Sequence, residues 1–313
     1  MTKSQITKDY LIGLLAGLGF NFLAAIQEVY LGSRLQNIPV PVYLFGCFAT
    51  ILTLFFFLSF ARGQKSGRAI GYNQDFVKRI KKDFKDIFII NFYTIFIWVP
   101  YFFAIQYIEP AIEAAITLAI GPVIVLLLEV YVYRKNMSKL DVVISIGALV
   151  GVLFLGFIGQ AGKSALSIIS TEKIIIGVLC SAAAGTALAL ITTVSKKLYT
   201  QGWAPSELIG VRFFLLVFLT MPFLPAGWFQ FISNNIVEFL TVAIFGIVAP
   251  VYLGQVLLKK TSSFTTAVVC TANPAFTILF QLFDSRLQFS IYSLVGVLIC
   301  MFFVSLGALN PSK

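Results

Sequence analysis

Histidine is absent from the 313 residues, and charged residues make up only 12% of them. The first absence removes the commonest general base and metal ligand, and with it Ser-His-Asp chemistry and His-carboxylate metal sites. The second, set beside a hydrophobic content of 59%, excludes a soluble enzyme, because ordinary soluble domains carry about 25% charge. Cysteine is sparse too. Cys47, Cys180, Cys270 and Cys300 stand singly in apolar runs with no CxxC spacing, so they read as small core residues rather than as redox or metal ligands. No metal and no cofactor is expected.

What the chain does have is long apolar runs, at 11–30, 40–60, 87–107, 111–131, 140–158, 174–195, 206–224, 236–257, 264–283 and 290–308. A helix crosses a bilayer with about 20 apolar residues, so these ten runs predict an all-α membrane protein of ten transmembrane helices. The run after the basic start MTKSQITKDY has no small-residue cleavage site, and the first helix is expected to be retained. No lipidation or retrieval signal is read at the other end.

The formal charge of +10 would suggest a nucleic-acid partner in a soluble protein. Here the bases lie between apolar runs and act as topology signals. With the N-terminus inside, 18 of the 23 basic residues fall in inner segments; only Arg34, Lys163, Lys173 and Arg286 fall outside, and Arg212 sits within a run. Both termini are therefore expected to be cytoplasmic. The one long loop, 61–86, carries eight bases and reads as an anchor on anionic lipid, over a regulatory or partner-binding role. Its Asp83 and Asp86 form a DxxD pair, a pattern used for Mg-diphosphate, but the pair is isolated and crowded by Lys81, Lys82 and Lys85.

An internal repeat organises the runs. At an offset of 164, Gly13 pairs with Gly177, Gly17 with Ser181, Pro41 with Pro205 and Gly46 with Gly210; further on, Pro100 pairs with Pro250 and Pro122 with Pro274. Each half opens with a small-xxx-small helix suited to close packing. Five spans per half is an odd number, so the second copy must enter from the opposite side. That is an inverted-topology repeat, 10–158 and 174–309 joined by an external linker at 159–173, and it favours a carrier with a site near mid-depth between the halves.

Within such helices, residues that break backbone bonds or carry charge are the expensive ones. Span four carries Glu113, Thr117, Gly121, Val125 and Glu129; span nine carries Thr265, Val269, Asn273, Thr277 and Gln281 in matching positions. These tracks should face the interior. Thr271 and Asn273 fall near mid-depth, with Asn21 of span one and Thr186 of span six at a similar level, and Trp98, Tyr101 and Tyr252 adjoin the paired prolines. Substrate-binding candidates are therefore Asn21, Trp98, Tyr101, Thr117, Thr186, Arg212, Tyr252, Thr271 and Asn273. Arg212 matches Glu129 in depth; a structural ion pair, a clamp for a substrate carboxylate and snorkelling to the surface all remain open. Glu28 and Glu113 could take up protons and couple transport to a gradient, or could bind water at the outer face.

The Ala114-Ala115 to Gly121-Pro122 segment, the Gly147–Gly151 segment, their counterparts Thr266-Ala267 to Asn273-Pro274 and Gly296-Val297-Leu298, and the Arg212-Phe213-Phe214 run resemble the drug/metabolite transporter superfamily, and within it the EamA-type ten-helix members, over about Tyr10 to Leu309. Phe48 stands where the first half of such proteins carries an Arg, and the Gly-Glu-Arg often found after spans four and nine is missing. The resemblance implies alternating-access transport of a small metabolite such as an amino acid, and no enzyme. The expected setting is a bacterial cytoplasmic membrane, with the bilayer and a small zwitterionic or neutral substrate as partners, no nucleic acid, and a monomer or homodimer. The alternatives are a flippase or carrier of a lipid-like, nucleotide-sugar or sugar-phosphate substrate, and, further off, a membrane-embedded transferase, which would need clustered acids at one interface.

Overall fold

A computed structural model of the chain describes residues 3–66, 74–131, 139–161, 164, 170–261, 266 and 269–308. Among them no strand occurs, and the helices follow the apolar runs. The first repeat contains α1 (Lys3–Arg34), α2 (Val40–Ser66), a short basic helix α3 (Gln74–Lys82), α4 (Phe84–Tyr107), α5 (Pro110–Tyr131) and α6 (Lys139–Gln160). The second contains α7 (Thr171–Thr200), α8 (Pro205–Val211), α9 (Phe214–Thr220), α10 (Trp228–Asn234), α11 (Ile236–Thr241), a π-helical segment Val242–Val248, α12 (Ala249–Lys260), α13 (Asn273–Gln281) and α14 (Ile291–Ala308). Residues 162–163 and 165–169 of the expected linker at 159–173, and Thr265, lie outside the described residues.

Among the described residues six helices are long and apolar enough to cross a membrane: Tyr10–Arg34, Phe84–Tyr107, Val142–Gly159, Thr171–Thr200, Pro205–Phe223 and Ile236–Lys260. Shorter apolar helices, Val40–Phe55, Pro110–Gly121 and Ile291–Leu306, accompany them. Their polarity runs opposite to that of a water-soluble helix. Along α1 the exposed side is Leu11, Leu15, Leu18, Phe22 and Ile26, spaced at three and four residues, whereas Asn21, Gln27 and Glu28 are buried. Apolar groups outside and amides inside is the arrangement a hydrocarbon solvent selects.

Local sequence explains the punctuation. Pro110 and Pro205 open their helices, where a missing N–H costs no intrahelical bond, and the Ala204 N–H donates to Glu207 Oε2 at 2.7 Å. Gly202 turns the chain between α7 and α8 with φ +91°, a left-handed value that glycine adopts without a Cβ penalty.

Three apolar clusters fill the interior. One joins α2, α4, α9 and α11 through Tyr43, Phe48, Trp98, Phe102, Phe213 and Phe239. A second joins α5, α6, α7 and α14, and a third seats α3 against α4, α7 and α8 around Trp203. In this last cluster Arg79 stacks 4.6 Å above the Trp203 ring and pairs with Glu207. Trp203 Nε1 donates to Asp83, and Lys197 pairs with Asp86. The DxxD carboxylates thus hold protein donors, and part of the basic loop is a helix docked on the second repeat.

The two repeats embrace through exchanged contacts: α1 lies along α12 while α7 lies along α4, and α1 meets α13 while α7 meets α5. The correspondence reaches single residues. A Cβ on Gly13 would come 2.6 Å from Thr261 Cγ2, and one on Gly177 would come 2.6 Å from Ile108 Cγ2. Those two neighbours occupy matching places in the repeats.

Candidate functional site

Helix α1 supplies the centre of the site because it touches α4, α5, the π-helical segment, α12 and α13. Asn21 donates from Nδ2 to the Val269 carbonyl at 2.7 Å, while its Oδ1 has no partner. One and a half turns on, Gln27 lies against Gly246 of the π-helical segment, and its Nε2 is likewise unbonded. Trp98 Nε1 and Asn273 Nδ2 complete a set of four buried polar atoms without a hydrogen bond among the described residues. Buried polar groups are nearly always satisfied, and an unsatisfied one costs about 1–3 kcal/mol. Four such atoms on the elements where the repeats meet mark places that a ligand or water can complete.

Beside them sit two acids. Glu28 is 6% exposed and Glu113 is 1% exposed, and the two interact electrostatically with each other and with Tyr101 of α4. Thr277 Oγ1 of α13 is 2.6 Å from Glu28 Oε2, and Thr117 Oγ1 is 2.6 Å from Glu113 Oε1 and 3.2 Å from the Ser181 carbonyl of α7. No salt bridge reaches either acid among the described residues. Asn273 adjoins Glu28.

Arg212 occupies a separate place. Helix α8 ends at Val211 and α9 begins at Phe214, so the expected continuous span seven is interrupted at Arg212-Phe213. Asn91 of α4 bridges the gap: Nδ2 donates to the Val211 carbonyl at 2.6 Å and Oδ1 accepts from the Leu215 N–H at 3.2 Å. Arg212 is 5% exposed, donates from Nε to Thr94 at 3.3 Å and lies 5.4 Å over the Phe213 ring. The Glu129 side chain lies outside the described residues; among those described, the side-chain hydrogen-bond partner of Arg212 is the Thr94 hydroxyl of α4. Phe48 packs on Phe213 at 4.9 Å and on Trp98 at 5.0 Å.

Of the other candidates, Tyr101 packs edge-on against Trp98 at 5.5 Å. Thr186 bonds within its own helix to Ala182. Thr271 turns toward Ser305 of α14 at 3.4 Å, and Tyr252 is 43% exposed on the outer side of α12. The structure therefore places Glu28, Asn273, Glu113 and Tyr101 together, joins Thr117 to Glu113 and Trp98 to Tyr101, sets Asn21 on the Val269 carbonyl, and leaves Thr186, Tyr252 and Thr271 on other contacts. Sequence reasoning passed over Gln27, Thr94, Asn91 and Ser181 and placed Thr277 only on a polar track. The signal for Gln27 was its adjacency to Glu28 in an apolar run.

One end of the bundle is sealed by polar links between repeats. Arg34 pairs with Glu238 at 2.5 Å, and the Tyr43 hydroxyl donates to the same carboxylate. Gln281 donates to Glu109 at 2.7 Å and accepts the Ala111 N–H, and Ser293 donates to Glu109. Beside these groups lies a cavity of about 190 Å³ walled by Ile278, Leu282, Leu287 and Phe289. No group of three or more Cys, Asp or Glu side chains is placed to hold a metal ion among the described residues.

An exposed apolar surface over a polar, incompletely bonded seam between two repeats is the build of a membrane-embedded helical protein. The EamA-like transporter family model matches residues 11–157 and again 175–307, and the chain belongs to that family. It is a multi-pass membrane protein of the drug/metabolite transporter type. Among solved structures, one described only as a crystal structure of a protein aligns over 98% of this chain and 99% of its own with a TM-score of 0.57. At 16% identity that likeness speaks for the fold alone. No curated protein matches the chain.

Proposed function

We propose that the protein is a ten-span secondary carrier with two inverted repeats and both termini cytoplasmic. It moves a small zwitterionic or neutral metabolite across a bacterial cytoplasmic membrane by alternating access. The observation that carries this reading is the set of four unbonded buried polar atoms, on Asn21, Gln27, Trp98 and Asn273, on the elements where the repeats meet. The exchanged contacts support the inverted arrangement, because α1 on α12 and α7 on α4 are the same contact made twice. Two conformations related by exchange of the halves follow from such pseudo-symmetry.

The polar seal at Arg34, Glu238, Glu109 and Gln281 would face outward, which makes this an outward-closed conformation. The low density of fixed charge around α1 suits amides, hydroxyls and single charges better than several phosphates, which call for clustered Arg or Lys.

Proteoliposomes loaded with radiolabelled amino acids, nucleosides or sugar phosphates test the reading by counterflow. One class should exchange, and Asn273→Leu should lower its rate at least tenfold at unchanged protein incorporation. Normal exchange by Asn273→Leu would remove the site. For orientation, a cysteine at Ser164 should react with an impermeant maleimide on intact cells and one at Ser66 only after lysis; the reverse pattern would overturn it.

A further inference from the structure

The two buried acids carry an inference beyond the transport reading, on which it rests. Thr277 Oγ1 is 2.6 Å from Glu28 Oε2 and 3.0 Å from the Asn273 carbonyl. Thr117 Oγ1 is 2.6 Å from Glu113 Oε1 and 3.2 Å from the Ser181 carbonyl. A threonine hydroxyl has one hydrogen to donate, and a carbonyl oxygen can only accept. Each hydroxyl here sits between two oxygens, so two hydrogens serve four contacts. All four are two-centre hydrogen bonds, none shared by one hydrogen, when the other two hydrogens come from the carboxyl groups, each threonine then donating to its carbonyl and accepting from its acid.

A second observation points the same way. The buried Asn273 Nδ2 donor lies close enough to Glu28 to act on its carboxyl, yet it makes no hydrogen bond within 3.5 Å among the described residues. An ionised carboxylate beside it, with several lone-pair sites open, would take that N–H; an acid already using its oxygens as donor and acceptor leaves it idle. Electrostatics agrees, since two carboxylates with no salt-bridged cation among the described residues repel and cannot both ionise cheaply.

The surrounding elements offer little to offset that charge. From α4 the titratable neighbour is Tyr101; α13 presents Asn273 and Thr277, and α7 presents Ser181, all uncharged. On or against the same helices Arg34 is committed to Glu238, Arg286 to Asp284 and to the Gly32 carbonyl of α1, and Glu109, between α4 and α5, is bonded by Gln281 and Ser293. Arg212 contacts Thr94 of α4, and Lys259 of α12 lies over the Tyr199 ring.

We propose that Glu28 and Glu113 form the proton-binding site of this carrier. Both are carboxylic acids in this closed conformation, and they exchange protons with water when the site opens. In each exchange the carboxyl O–H bond breaks, its proton forms a new O–H bond on water to give hydronium, a carboxylate remains, and no other covalent bond changes. Glu28 is bonded across the repeat boundary to α13, and Glu113, through Thr117, to α7. Proton loss at either acid therefore removes a donor from an inter-repeat link and frees Asn273 to bond the new carboxylate. Protons hold the halves closed, and their release accompanies opening.

Infrared spectroscopy of the protein in lipid nanodiscs tests this without a known substrate. At pH 7 the protonated-carboxyl stretching band should be present, should lose area in Glu28→Gln and in Glu113→Gln, and should shift in frequency without losing area in Thr277→Val, which keeps both acids. Hydrogen exchange in α1 and α13, corrected for the intrinsic effect of pH, should rise at alkaline pH in the parent protein and stay flat in the double Gln variant. Absence of the band at pH 7, a band untouched by both Gln substitutions, or equal exchange in parent and double variant would each overturn the proposal. The carrier reading falls separately, on the Asn273→Leu counterflow result.

Discussion

The two repeats share a family model and a register, yet one is built from continuous helices and the other from interrupted ones. In the first, α2, α4 and α5 run unbroken, even through Pro100. In the second, the counterpart of α2 stops at Arg212-Phe213, that of α4 passes through seven π-helical residues before Pro250, and that of α5 restarts at Asn273 after a turn. The acids reside on the regular half, Glu28 and Glu113, whereas the side chains that bond or adjoin Glu28, Thr277 and Asn273, sit at a break. Interrupted helices free backbone groups that must be satisfied by neighbours, and π-helical turns collect at functional positions. The difference teaches that pseudo-symmetric halves can divide the work: one gives a rigid wall, the other supplies the places where the wall can bend.

The largest expected effect tests the repair of a break. Asn91→Leu removes both bonds that bridge α8 and α9 and leaves the Val211 carbonyl and Leu215 N–H unpaired, which should lower stability by about 2–4 kcal/mol. Thr241, near the matching place, bonds only within its own helix to Val237, and Thr241→Val should change stability by less than about 0.5 kcal/mol. Thermal unfolding in detergent compares them; equal losses would break the comparison between halves. Next comes packing. A Cβ on Gly185 would fall 2.4 Å from the Thr117 carbonyl oxygen, whereas one on Gly121 meets nothing within 4 Å. Gly185→Ala should therefore destabilise by about 1–3 kcal/mol, and Gly121→Ala should stabilise by about 0.5–1 kcal/mol. The smallest effect belongs to the exposed Lys197–Asp86 pair, where Lys197→Ala should cost less than about 0.5 kcal/mol. A larger loss would show that the docking of the first repeat on α7 depends on surface charge.

Much of the fold was legible because hydrocarbon imposes a simple rule on composition. The ten apolar runs and the family resemblance follow from length, hydropathy and repeated glycine and proline, and helices appear along those runs. Gly13 and Gly177 read as close-packing residues, and both meet a neighbour at van der Waals limits. The breaks were not legible. Arg212 has no proline or glycine beside it, and the gap there exists because Asn91, 121 residues earlier in the chain, offers an alternative to the helical bonds. The site was legible in its most expensive members only. Asn21, Glu28, Glu113 and Asn273 stand out against apolar neighbours, but Tyr252 and Thr186 looked equally eligible and face elsewhere, since no periodicity distinguishes the seam from the other sides of an apolar helix.

Composition and repeat by themselves determined the solvent, the class of carrier and the register in which the halves correspond, because burial in lipid and backbone satisfaction act residue by residue along the chain. Which polar atoms go unbonded among the described residues, that Arg212 reaches the Thr94 hydroxyl, and that Glu28 and Glu113 come together follow from the tertiary structure alone. Those outcomes depend on distances between helices far apart in sequence, and a hydrogen bond exists or fails within a few tenths of an ångström.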